Sequence, residues 1–126
     1  ITIPTEEIPF KPLAEGVSMR VVHVDHASGA WTIMIDAKKG SVLPRHKHLS
    51  PAEIYILKGS GHHPQTGAYA PQDYVVEPMD AIHADLVHEE DILLILHSAG
   101  PVAFLNPDDS TAFMMDAGML TGFAAS

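Results

Sequence analysis

Short runs of β-branched and aliphatic residues, each closed off by Gly, Pro, Asp or Ser, recur from Met19 to Leu105, and they narrow the possible folds more than any other feature. Runs at 20–25 and 30–37 flank the turn signal Ala27-Ser28-Gly29, and in the second Trp31, Ile33 and Ile35 alternate with Thr32, Met34 and Asp36. A period of two gives a strand two different faces. Further strands are expected at 41–48, 52–60, 74–78, 82–88, 91–97 and 101–105, with the longest gap, 62–72, a loop or irregular hairpin. Strands this short and closely spaced predict an all-β sandwich or barrel. The 126 residues suit a single domain. Residues 1–18 contain three prolines and read as an extended arm, 19–106 as the barrel, and 107–126 as a tail. In the tail, Asp109 or Ser110 is placed to cap a short helix through Thr111 to Ala117, with Gly118 as its stop.

Composition removes several chemistries. There is no cysteine, which excludes disulfides, thiolate metal sites and a cysteine nucleophile. Any metal must be held by histidine and carboxylate. No apolar stretch approaches the roughly 18 residues needed to span a bilayer, and a cytoplasmic location is expected. Net charge is −9, all seven Lys and Arg lie at or before Lys58, and ten of the sixteen acids lie after it. A half-chain without cations is poorly suited to neutralising phosphates, so neither nucleic acid nor an anionic membrane is expected as a partner.

The stretch from Gly40 to Gly59 carries the chemistry. His46 and His48 stand two apart, so on a strand both imidazoles face the same side, one pleat apart. Pro51 breaks the chain before a new apolar strand, and Glu53 stands at its start with Tyr55 and Leu57 on its own face, where a carboxylate can add a further ligand. The pattern G-x5-H-x-H-x4-E resembles the first cupin motif, with Gly59 falling one residue earlier than the motif's last glycine. Pro78 and His83 keep the spacing that closes the second cupin motif, with Asp80 in place of its turn glycine, Gln72 in place of its opening glycine and Val87 in place of its asparagine. Asp tolerates the left-handed backbone such a glycine adopts.

A resemblance extends over almost the whole chain. Ile8-Pro-Phe-Lys-Pro-Leu, Gly29-Ala-Trp-Thr, Leu43-Pro-Arg-His-Lys-His, Tyr55-Ile-Leu-Lys-Gly and Val76-Glu-Pro-Met-Asp-Ala-Ile-His look like the 2,4'-dihydroxyacetophenone dioxygenases and acetylacetone-cleaving dioxygenases. The likeness implies a double-stranded β-helix, the jelly-roll-like cupin barrel. It implies one divalent metal held by His46, His48, Glu53 and His83, with Fe(II) first and Zn, Ni or Mn accepted by the same donors. It also implies O2-dependent cleavage of a carbon–carbon bond in a small diketone or hydroxyketone. Relatives that cleave acetylacetone use three histidines alone, so Glu53 is either a fourth ligand or none. The alternative function is a non-catalytic zinc-binding or ligand-sensing cupin.

Other residues have more than one reading. Glu77 is a candidate to orient His83 through its free ring nitrogen, a role the likeness favours; otherwise it is a surface carboxylate. Tyr55 either lines the cavity or packs in the core. Met34 and His97 are candidate pocket residues. His62 and His63 sit near the expected mouth, where they either gate the pocket or bind substrate or, in the plainer reading, are solvated loop histidines, and His88, His23 and His26 adjoin turns and are expected to be exposed. Open sheet edges and the proline-rich arm suit a homodimer.

Overall fold

In the computed structural model, which describes all 126 residues, a 3-10 turn at Thr5–Glu7 precedes fourteen strands. They are β1 (Lys11–Ala14), β2 (Val17–Val24), β3 (Trp31–Ala37), β4 (Val42–Leu43), β5 (His46–His48), β6 (Ala52–Lys58) and β7 (Gly61–His63). The second half continues with β8 (Gly67–Tyr69), β9 (Tyr74–Glu77), β10 (Ile82–His83), β11 (Leu86–Val87), β12 (Ile92–Ser98), β13 (Val102–Leu105) and β14 (Thr111–Met115), and the chain closes on helix α1 (Ala117–Ala125). Six strands form one sheet in the order β1-β2-β3-β12-β6-β9, and four form the other in the order β10-β5-β13-β14. The all-β expectation therefore holds.

The strands do not close into one continuous barrel. Two ribbons, β4 with β11 and β7 with β8, stand apart from the main sheets. The break between β4 and β5 has a local cause. Pro44 has no amide to donate, and the amide of Arg45 donates to the side chain of Asp85 at 2.8 Å instead of to a neighbouring strand.

The two sheets face each other across the core, where Val17, Met19, Trp31, Ile33, Ile35 and Ile92 of the larger meet Val102, Phe104 and Met115 of the smaller. Alternation does the sorting: Val17 and Met19 point inward, while Ser18 and Arg20 do not join the core. Removing a side chain as large as Trp31 or Ile33 from water contributes about 1.5–3 kcal/mol each.

Both ends of the chain depart from expectation. Residues 1–18, read as an extended arm, include a strand that enters the sheet, with Lys11 opposite Met19 and Pro12 opposite Ser18. Arg20 binds this N-terminal segment by donating to the carbonyl of Thr5 and by stacking on Phe10 at 4.0 Å. In the tail the expected short helix is present, but residues 111–115 form strand β14 against β13, and the helix begins at Ala117, six residues after the start that a cap at Ser110 would give. Its cap is Asp116, whose carboxylate accepts the amide of Met119 at 2.9 Å. Gly118 therefore lies inside the helix, and Leu120 packs into the core. Lys11 donates to the carbonyl of Ala124 at 2.9 Å, placing a cation at the negative end of the helix. No helix is long and apolar enough to cross a membrane.

Candidate metal centre

Three strands of the smaller sheet set the site. Strand β5 lies between β10 and β13, with His83 directly opposite His46 on one side and Phe104 opposite His46 on the other. Because side chains alternate, His46 and His48 both turn inward and Lys47 between them does not. The turn before β10 clamps β5 from below: the amide of Asp80 donates to the carbonyl of His48 at 2.7 Å, and the amide of His48 donates to the carbonyl of Ala81 at 2.9 Å. Asp80 makes this turn in the left-handed region, at φ +68°.

The result is a triangle of imidazoles with ring centroids 4.9 to 5.1 Å apart. Glu77 joins it from β9, and one ligand atom each from His46, His48, Glu77 and His83 lies within 4.8 Å of every other. All four residues are buried. Oε2 of Glu77 is pressed against Nε2 of His48 and lies 2.9 Å from Nε2 of His83.

Electrostatics keep His46 and Glu77 in a ligating state. Burial pushes the His46 imidazole down to about 4, so the ring is neutral at neutral pH. Its Nδ1 donates to the carbonyl of Pro44 at 2.9 Å, which fixes the tautomer and leaves Nε2 with a free lone pair. Burial opposes charge on Glu77, yet hydrogen bonds from His48 and His83 overcome it and hold the carboxyl well below the usual carboxylate range. Ring nitrogens of His48 and His83 are buried without a hydrogen-bond partner. Orphaned polar atoms of this kind are rare in folded proteins, and a divalent cation shared among them would satisfy the set. Neutral imidazoles and one carboxylate are the donors such an ion takes.

The structure brings His46, His48 and His83 together and leaves Glu53 outside. Glu53 is exposed on the outer face of β6, where its carboxylate accepts the Tyr74 hydroxyl. The cause is register: Ala52, Ile54 and Ile56 are the inward set of β6, so Glu53, Tyr55 and Leu57 point away from the core. Glu77 pairs with Ala52 across the ladder, and the carboxylate in the cluster thus comes from the neighbouring strand. Tyr55, exposed on that outer face, neither lines the cavity nor packs in the core. His97 is also exposed, between Thr32 and Glu53 in register, and its Nδ1 lies 2.8 Å from the Thr32 hydroxyl. Met34 is buried but opposes Arg20 on the outer side of the sheet, away from the cavity wall formed by Trp31, Ile33 and Ile35.

Two histidines expected at the surface are buried. His88 holds Ser41 through its Nδ1, which lies 3.0 Å from the carbonyl of Ser41. His63 lines the cavity with its ring edge-on to His83 at 4.3 Å. His62, its neighbour on the strand, points out and meets Glu89 at 3.0 Å. The alternation of β7 separates them. The cavity beside the cluster is lined by 23 residues, 16 of them hydrophobic and none a Lys or Arg, so it suits a small, largely apolar ligand.

Comparison with known proteins fits this geometry. A family model described as the ChrR cupin-like domain matches residues 1–103. The chain belongs to the ChrR cupin-like family. No curated protein matches this cupin. Its fold is similar to that of a putative acetylacetone dioxygenase from Methylibium petroleiphilum PM1, at 21% identity and a TM-score of 0.92, covering 100% of this chain and 94% of the other. An acetylacetone dioxygenase from Acinetobacter johnsonii matches at 17% identity and 0.88, covering 99% and 89%. The anti-sigma ChrR of Rhodobacter sphaeroides, solved with SigE, matches at 18% identity and 0.64, covering 74% of this cupin and 49% of that chain. At these identities the likeness establishes the cupin fold.

Proposed function

We propose that this cupin is a non-haem iron(II) dioxygenase that cleaves a carbon–carbon bond in a small diketone or hydroxyketone. The reading rests on a buried cluster of three histidines and one carboxylate set in a mostly apolar cavity without cationic side chains. His46, His48, His83 and Glu77 would hold the ion, with the Pro44 carbonyl keeping His46 in its ligating tautomer. Bound iron would supply Lewis acidity and one place for ketone oxygen and O2 to meet. The apolar wall, including Trp31, Ile33, Leu96 and Phe104, accepts alkyl or aryl groups and excludes water. Absence of Lys and Arg from that wall disfavours phosphorylated or strongly anionic substrates. The match to the two acetylacetone dioxygenase structures supports the same class.

A second reading, a zinc-binding or ligand-sensing domain, draws support from the fourth donor. Three imidazoles and a carboxylate complete a tetrahedral zinc site with no position left open, and the fold is shared with ChrR, which was solved with a protein partner. Elemental analysis followed by anaerobic loading with Fe(II) separates the two. The enzyme reading expects oxygen uptake on adding acetylacetone or a hydroxyacetophenone. Tight zinc and no oxygen consumption across a broad ketone panel would overturn it.

A further inference from the structure

His63 contributes nothing to the set of four ligand atoms, yet it is buried against that set. Its Nδ1 accepts two backbone amides, Gln65 at 3.2 Å and Thr66 at 3.3 Å, from the turn that joins β7 to β8. A ring nitrogen that accepts carries no proton, so in a neutral imidazole the proton must sit on Nε2. That Nε2 is buried and has no hydrogen-bond partner; the nearest carboxylate oxygen, Oε1 of Glu77, is 3.7 Å away and out of range. The residue is 8% exposed and lines the cavity beside His83. To bind a metal through Nε2, the ring would have to move its proton to Nδ1, against two amides that already point there.

We propose that His63 is a fixed hydrogen-bond donor, Nε2–H, that positions an anionic oxygen of a small ligand bound at the metal, and that it is not itself a metal ligand. This rests on the metal-centre reading above. The oxygen it fits is an enolate or carboxylate on a largely apolar molecule, because the rest of the wall offers carbon and because an unpartnered buried donor gains most from a charged acceptor.

Three measurements test it on the full chain. In the zinc-loaded protein, long-range proton–nitrogen NMR reports the His63 tautomer; Nε2–H is expected, and Nδ1–H would overturn the proposal. In the cobalt-loaded protein, acetylacetone is titrated by its effect on the visible spectrum. His63→Phe should weaken acetylacetone on the order of tenfold, the size of one hydrogen bond to a charged group, while cobalt affinity stays the same. His63→Gln, which keeps an N–H donor, should recover most of that loss. Acetylacetone affinity unchanged in His63→Phe, or cobalt affinity lost with it, overturns the donor role. Failure of the wild type to take up any metal is a different result, and it would overturn the metal centre along with this inference.

Discussion

The fate of two glutamates shows how much rests on one residue of register. Glu53 fits the spacing of the first motif, but it stands on the outer face of β6 and is bound by Tyr74, whereas Glu77 is buried against His48 and His83. Glu77→Ala should therefore weaken divalent-metal binding by at least about 10-fold, the lower end of the range for groups that only orient a metal's histidines. Glu53→Ala should change it by less than about threefold, as expected of a surface substitution. Competition with a chromophoric chelator reads both. Equal losses in the two variants would mean that the carboxylate in the cluster has no part in holding metal. The three histidines were legible because H-x-H places two imidazoles on one face under any regular strand geometry, and the proline-to-histidine spacing adds the third. Glu53 misled because both faces of β6 carry bulky apolar residues, Ile54 and Ile56 against Tyr55 and Leu57, so periodicity could not say which was inside. The pairing of Ala52 with Glu77 and the burial of His63 are long-range facts with no local signature.

At the scale of elements, three turn positions carry backbone conformations that the strands depend on. Gln72 and Asp80 both sit in the left-handed region, at φ +73° and +68°, the two places where the family motif has glycine. A non-glycine residue there costs about 1–2 kcal/mol, partly offset because glycine loses about 0.4–1 kcal/mol more entropy on folding. Gln72→Gly should stabilise the protein by about 0.5 kcal/mol. Asp80→Gly should gain less, because Asp tolerates this backbone and because the 3.9 Å contact with Lys47 is lost. Gly59 is the contrast. At φ +89° an added Cβ would lie 2.2 Å from the carbonyl oxygen of Asp91, so Gly59→Ala should destabilise by about 2 kcal/mol or more. Urea denaturation midpoints at constant slope report all three. The sequence carried the left-handed turn at Asp80 but not the C-terminal elements. There Thr111–Met115 has no strict alternation of its own and becomes a strand because β13 offers an unpaired edge. The helix then starts where Asp116 can reach the amide of Met119.

For the molecule as a whole, the buried histidines make stability depend on pH in a definite direction. Burial lowers His46 to about 4 and also lowers His63 and His88, with nearby His83 acting the same way on His63. In the unfolded chain each titrates near its ordinary value, so as pH falls from about 6.5 toward 4 the unfolded state takes up protons that the folded state refuses. Stability is thus fully present above about 6.5 and declines through that window, by about 3 kcal/mol for His46 alone once pH reaches 4. Glu77, held well below the ordinary carboxylate range by His48 and His83, adds a second loss in the same direction below about 4.5. Relief of repulsion within a chain of net charge −9 works the other way, but that long-range term is largely screened at about 0.15 M salt. Metal-free protein in that salt should therefore show a urea midpoint that is flat from pH 8 to 7 and falls from about 6.5 downward. His46→Gln should flatten the upper part of the fall without removing it, since His63 and His88 remain buried. A midpoint that does not move from pH 7 to 4 in the metal-free protein would mean that these rings are not held neutral in the folded state.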